Sequence, residues 1–159
     1  MSDDGFTVSI LVGADPERAF QAFTEEIDRW WLRGPKHRFC PPYGEGTLHF
    51  AGDRERKLVE EHPDGSSFVI GEVLRWIPGE LLHLTWRLPN FAANEQTEVL
   101  VEFAAEGDGT RVSVQHRGWD ALRRDHPALH GLDRRAAAAA KGALWAETLT
   151  ALRDYLQGG

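Results

Sequence analysis

Residues 47–117 hold six short strand-like segments, at 47–51, 56–61, 67–77, 81–88, 95–105 and 110–117. Each is rich in β-branched, aromatic or alternating apolar residues. Turn signals separate most of them: Pro63-Asp64-Gly65, Pro78-Gly79, Pro89-Asn90 and Gly107-Asp108-Gly109. Links this short join antiparallel neighbours, because a parallel crossover needs a dozen or more residues. Residues 6–12 add a seventh strand, in which Phe6, Val8, Ile10 and Val12 alternate with small or polar residues. Asp15-Pro16 then starts a short helix over 16–23, with Asp as N-cap and Pro at the first helical position. Thr24 can cap a second, over 25–31. Residues 33–46 carry Gly34, Pro35, Pro41, Pro42, Gly44 and Gly46, a density of breakers that means loop. The last third differs. It is proline-free from Arg134 to Leu156 and contains the run Ala136 to Ala140, so a helix spanning at least 136–156 follows from propensity. Trp145, Leu149, Leu152 and Leu156 form one stripe along it.

The expected fold is therefore α+β: a curved seven-stranded antiparallel sheet around a long C-terminal helix, two short helices after strand one, and an apolar cavity between sheet and helix. No repeat or linker divides the chain, which reads as one domain over 1–159. Hydrophobic residues make up 42%, enough for a sizeable core. A formal charge of -7 argues against nucleic acid and anionic membrane as partners. No apolar run approaches the ~20 residues that span a bilayer. The one cysteine, Cys40, cannot form an intrachain disulfide, and the first residues, Met1-Ser2-Asp3-Asp4-Gly5, lack a signal-peptide pattern. A cytoplasmic location is expected.

The order of elements is distinctive. It resembles the helix-grip fold of the START/Bet v 1-like (SRPBCC) superfamily, in the branch related to the C-terminal domain of the activator of Hsp90 ATPase. The resemblance rests on residues 15–23 (DPERAFQAF), Trp30-Trp31, residues 71–78 (GEVLRWIP), Leu84-Thr85-Trp86, residues 109–116 (GTRVSVQH) and the closing helix from Trp145 to Leu156. It implies a cavity-forming fold whose members include lipid carriers, hormone receptors and cyclases, so it implies a functional class more than an activity. Residues 119–133, before the last helix, look longer than is usual in this branch. The eukaryotic co-chaperone has an additional N-terminal, chaperone-binding domain, for which no room is expected in 159 residues.

Candidate cavity residues are Phe50, Trp76, Trp86, Phe103, His116, Ala138, Gly142, Trp145 and Leu149. The aromatics have inward-compatible parity, and core packing accounts for them one by one; the fold adds the reading of a lined pocket. Gly142 and Ala138 lie one and two turns before Trp145 on its stripe. Glycine in a helix interior costs about 1 kcal/mol relative to Ala, so Gly142 implies either room for a ligand or close contact with a bulky sheet residue. His116 continues the inward parity of Val112 and Val114. Glu72 has two readings. It is a buried carboxylate and potential general base if Phe68, Ile70 and Trp76 share its face, and an ordinary exposed acid if Gly71 and Val73 face inward.

No metal or other cofactor is expected. His126 and His130 are four apart without an intervening Glu, and His37 near Cys40 lacks a second cysteine pair. Gly44-Glu45-Gly46 is not a dinucleotide fingerprint, and G-x-S-x-G, Walker and H-E-x-x-H motifs are missing. The leading function is a binding module for a hydrophobic small molecule or lipid-like ligand. The alternatives are a cyclase or dehydratase-type enzyme using the cavity and a chaperone-linked interaction domain.

Overall fold

A computed structural model describes residues 5–34, 36–40, 45–89, 91, 95–118 and 134–158. The chain order is β1 (Gly5–Val12), α1 (Pro16–Thr24), α2 (Ile27–Trp30), β2 (Thr47–Ala51), β3 (Lys57–Glu61), β4 (Ser67–Ile77), β5 (Leu81–Trp86), β6 (Thr97–Glu106), β7 (Gly109–Arg117) and α3 (Arg134–Gly158). The seven strands form one sheet in the order β1-β7-β6-β5-β4-β3-β2, every neighbouring pair antiparallel. This is the α+β architecture the turns and periods predict, with the helix-grip-like arrangement that the resemblance implies.

Local chemistry explains the elements. The Asp15 side chain accepts from the Arg18 backbone N–H at 2.8 Å, capping α1. The apolar face of α1 buries Ala19, Phe20, Ala22 and Phe23. At the β4–β5 turn Gly79 has φ of 78°, a conformation L-residues rarely adopt. The meander leaves β1 and β2 as the edges, and α1 and α2 make the crossover between them. Helix α3 lies mainly along β1 and also touches α1 and α2. Its C-terminal end is tied down by Tyr155, whose hydroxyl donates to Glu26, which Arg18 also pairs at 2.5 Å.

One core joins the concave face of the sheet to the helices. It contains Leu58, Ile70, Leu82, Leu84, Val99, Val101, Val112 and Val114 from strands, and Trp145, Leu149 and Leu152 from α3. Among the described residues no helix is long and apolar enough to cross a membrane.

Two bulges in β4 decide the fate of Glu72. Leu58 pairs with Gly71 but Val59 with Val69, and Val73 pairs with Leu84 but Arg75 with His83. Each inserts one residue and reverses the side-chain parity. Ile70, Gly71, Val73 and Trp76 thus all contribute to the inner side, while Glu72 and Leu74 point out. The buried-carboxylate reading of Glu72 is corrected: its side chain is 64% exposed, with Lys57 Nζ 4.0 Å away. Gly71 itself is required by a close approach, because a Cβ there would lie 1.7 Å from the Thr85 carbonyl oxygen.

Candidate functional site

The inner space is organised by aromatic rings. Trp31, Trp86 and Trp145 meet in one group, with Trp145 5.5 Å from Trp31 and 5.4 Å from Trp86 between ring centroids. Phe103 packs against Phe20 and Phe23 from α1. Leu149 is fully buried. These aromatics come from β5, β6, α1, α3 and the residue after α2, so only the folded sheet assembles them.

His116 sits in the middle of this group. The Trp145 indole N–H donates to His116 Nδ1 at 3.1 Å, so Nε2 carries the ring proton in the neutral tautomer. Nε2 donates to Thr97 Oγ1 at 2.7 Å, and that hydroxyl donates to the Trp86 carbonyl at 3.0 Å. The result is a directional chain from the helix through the imidazole to the sheet. Burial, with a smaller contribution from Lys141, pushes the His116 pKa down to about 3. The folded value lies below the unfolded one, so its stabilising contribution is present above pH ~6.5 and is lost as pH falls toward 3. On acidification from pH 7 to pH 5 this residue alone is expected to remove about 2 kcal/mol. Urea denaturation at the two pH values should show a smaller loss for His116→Gln than for the parent; equal losses would contradict the assignment.

A Cβ at Gly142 would lie 3.6 Å from Phe6 Cδ2 and 3.8 Å from Val8 Cγ2, so side chains of β1 already face the glycine. Gly142→Leu is expected to overpack this contact at a cost of about 1–3 kcal/mol. A raised melting temperature would instead reveal a void. Ala138 lies within α3, but its side chain is outside the described residues, as are His126, His130 and residues 119–133.

The β2–β4 side is more open. Phe50, Phe68 and Trp76 face the core yet remain half-buried. Trp76 meets Phe20 and Phe50 edge-on at 5.3 and 5.5 Å and carries the Arg56 guanidinium 4.1 Å from its ring centroid. Beside it is a cleft of about 450 Å³ lined by Phe20, Trp76 and Pro78 with polar residues of α1, among them Arg18 and Gln21.

The segment after α2, read from its breakers only as loop, is built on two buried charges. Arg38, with 1% of its side chain exposed, donates to Asp28 at 2.9 Å and to the carbonyls of Gly46, Trp31 and Leu32. Glu60, with 1% of its side chain exposed, accepts from the Phe39 and Cys40 backbone N–H groups at 3.0 and 2.9 Å. His62 Nε2 lies 2.9 Å from the same carboxylate. Burial, and then the charge of Glu60, push the Cys40 thiol up. His37, the sequence neighbour considered with Cys40, turns instead to Glu147 of α3, 3.2 Å away. Sequence reading missed Glu60 and His62 because they are distant from Cys40 in the chain. Their inward parity with Leu58 was the available signal.

This sheet-and-helix arrangement has known counterparts. The family model described as "Activator of Hsp90 ATPase homolog 1-like protein" matches residues 13–157. The chain belongs to this family. Its fold is accordingly that of the START-like superfamily. Solved structures similar to this family member include a protein of unknown function from Staphylococcus aureus (SA2116), with TM-score 0.66, 15% identity, and 96% of this chain and 93% of that chain covered. Protein MLL2253 from Mesorhizobium loti gives TM-score 0.64 at 19% identity, with 96% of each chain covered. The Aha1 dimer from Colwellia psychrerythraea gives 0.63 at 19%, with 95% of this chain and 94% of that chain covered. At these identities the likeness is one of fold. No curated protein matches the family member in sequence.

Proposed function

We propose that this family member is a binding domain for an apolar small molecule, taken up between the concave face of the sheet and the helices that cover it. The observation that carries the reading is the row Phe50, Phe68 and Trp76. These rings face the core but stay half-buried, and Trp76 with Phe20 and Pro78 forms the apolar wall of a cleft whose other wall is the polar face of α1. Large aromatic faces left partly uncovered beside a cleft are characteristic of ligand sites. Phe103, Trp86, Trp145 and Leu149 form the closed end of the same interior, where Gly142 of α3 faces Phe6 and Val8 of β1. His116 orients the wall of that interior: both its ring nitrogens are already engaged by protein groups. A reducing, cytoplasmic setting belongs to the proposal, consistent with the free thiol of Cys40.

A chaperone-linked role would use an outer surface. Among the described residues the exposed large hydrophobics, Leu11, Val69 and Leu74, do not supply a single patch: Leu11 is on β1, and the other two are on β4, across three intervening strands.

The test is native mass spectrometry of the purified protein together with titration of a fluorescent fatty-acid probe. Saturable uptake is expected, weakened at least ~10-fold by Trp76→Ala, a loss of ~1.4 kcal/mol. No co-purifying molecule and no probe binding by the parent protein would remove the proposal.

A further inference from the structure

We infer that Cys40, Glu60 and His62 form a binding site for a divalent, zinc-type metal ion. One ligand atom from each of the three lies within 4.8 Å of those from the other two. In a tetrahedral zinc site, bonds of about 2.0–2.3 Å place donor atoms roughly 3.3–3.7 Å apart. The 2.9 Å between His62 Nε2 and Glu60 Oε1 and the 4.8 Å limit of the cluster bracket that spacing. Thiolate, imidazole and carboxylate are the donor types zinc selects, and three protein ligands leave a fourth position open. Thiolate and carboxylate together balance two positive charges, so the loaded site would be neutral in a buried position.

The surroundings suit a ligand set. The Phe39 and Cys40 N–H groups hold the Glu60 carboxylate in place, as outer partners hold metal-bound carboxylates. Gly46 provides room: a Cβ there would be 2.9 Å from Glu60 Cγ and 3.0 Å from His62 Cε1. Cys40 is half-buried, which leaves an approach for the ion. A carboxylate serving only to clasp the loop would account for the two backbone N–H contacts. It does not require the His62 imidazole that meets the same carboxylate on the side of the Cys40 contact.

This inference is independent of the apolar ligand proposed above. The experiment is titration of the reduced full chain with Co²⁺, followed by Zn²⁺ displacement. One equivalent should bind with a near-ultraviolet thiolate-to-cobalt charge-transfer band, which Zn²⁺ bleaches. Cys40→Ala should abolish the band, and His62→Ala should weaken binding at least ~10-fold, the equivalent of ~1.4 kcal/mol. A His126→Ala/His130→Ala double variant should behave as the parent does. Circular dichroism on each variant checks that it is folded, and the parent spectrum stands without any variant. Failure of the parent to give a charge-transfer band at stoichiometric cobalt would overturn the site. So would uptake that survives both Cys40→Ala and His62→Ala, or that disappears only in the double histidine variant.

Discussion

Trp145→Ala is expected to destabilise the protein by about 3–5 kcal/mol, the range for truncating a large buried aromatic. The side chain is 6% exposed and wedged between Trp31, Trp86 and His116. Its loss opens a cavity among rings that belong to different elements and cannot all relax inward together. It also removes the indole N–H that donates to His116 Nδ1 at 3.1 Å. Losing a hydrogen bond in that interior contributes about 1 kcal/mol within the total. Trp145→Phe separates the two contributions, since it keeps a ring but not the donor, and should fall between parent and Ala variant. Equilibrium urea denaturation measures both. A loss below 1 kcal/mol for Trp145→Ala would show that the helix does not close the sheet through this residue.

Arg38→Met is expected to cost about 3–5 kcal/mol, the penalty for breaking a buried charged network from one side. Methionine keeps an apolar stem but no donor. The carbonyls of Trp31, Leu32 and Gly46 and the Asp28 carboxylate would lose the guanidinium that gathers them. Arg33 provides an internal comparison, because it also reaches Asp28 and the Gly46 carbonyl, at 3.1 and 3.2 Å. Its side chain is 48% exposed against 1% for Arg38. Arg33→Met should therefore cost no more than about 1 kcal/mol, as exposed pairs do. Arg38→Lys should rescue little, since a single ammonium cannot replace a planar fork of donors. Equal and small effects at Arg33 and Arg38 would mean that the segment is held by its backbone alone.

Sequence by itself determined the order and kind of the elements. Strand period, the Asp15-Pro16 helix start, the turn dipeptides and the alanine run act over a few residues, so they are visible in one dimension. The observed strands and helices differ from those expectations mainly at their ends: β6 is Thr97–Glu106 where 95–105 was expected, and α2 is Ile27–Trp30 where 25–31 was expected. The inward parity of His116 was legible for the same reason. Its partners Thr97 and Trp145 were not, because they come from another strand and from the final helix. Tertiary structure decided the rest. The facing of Glu72 depends on two bulges, and a bulge is a property of two paired strands, not of one segment. The meaning of Gly142 depends on Phe6 and Val8, more than 130 residues earlier in the chain. Cys40, Glu60 and His62 converge only because the segment after α2 folds back over β3, drawn by backbone N–H groups that a buried carboxylate must satisfy. Chemistry that needs groups from distant segments is written in the pairing of the strands, and no local pattern carries it.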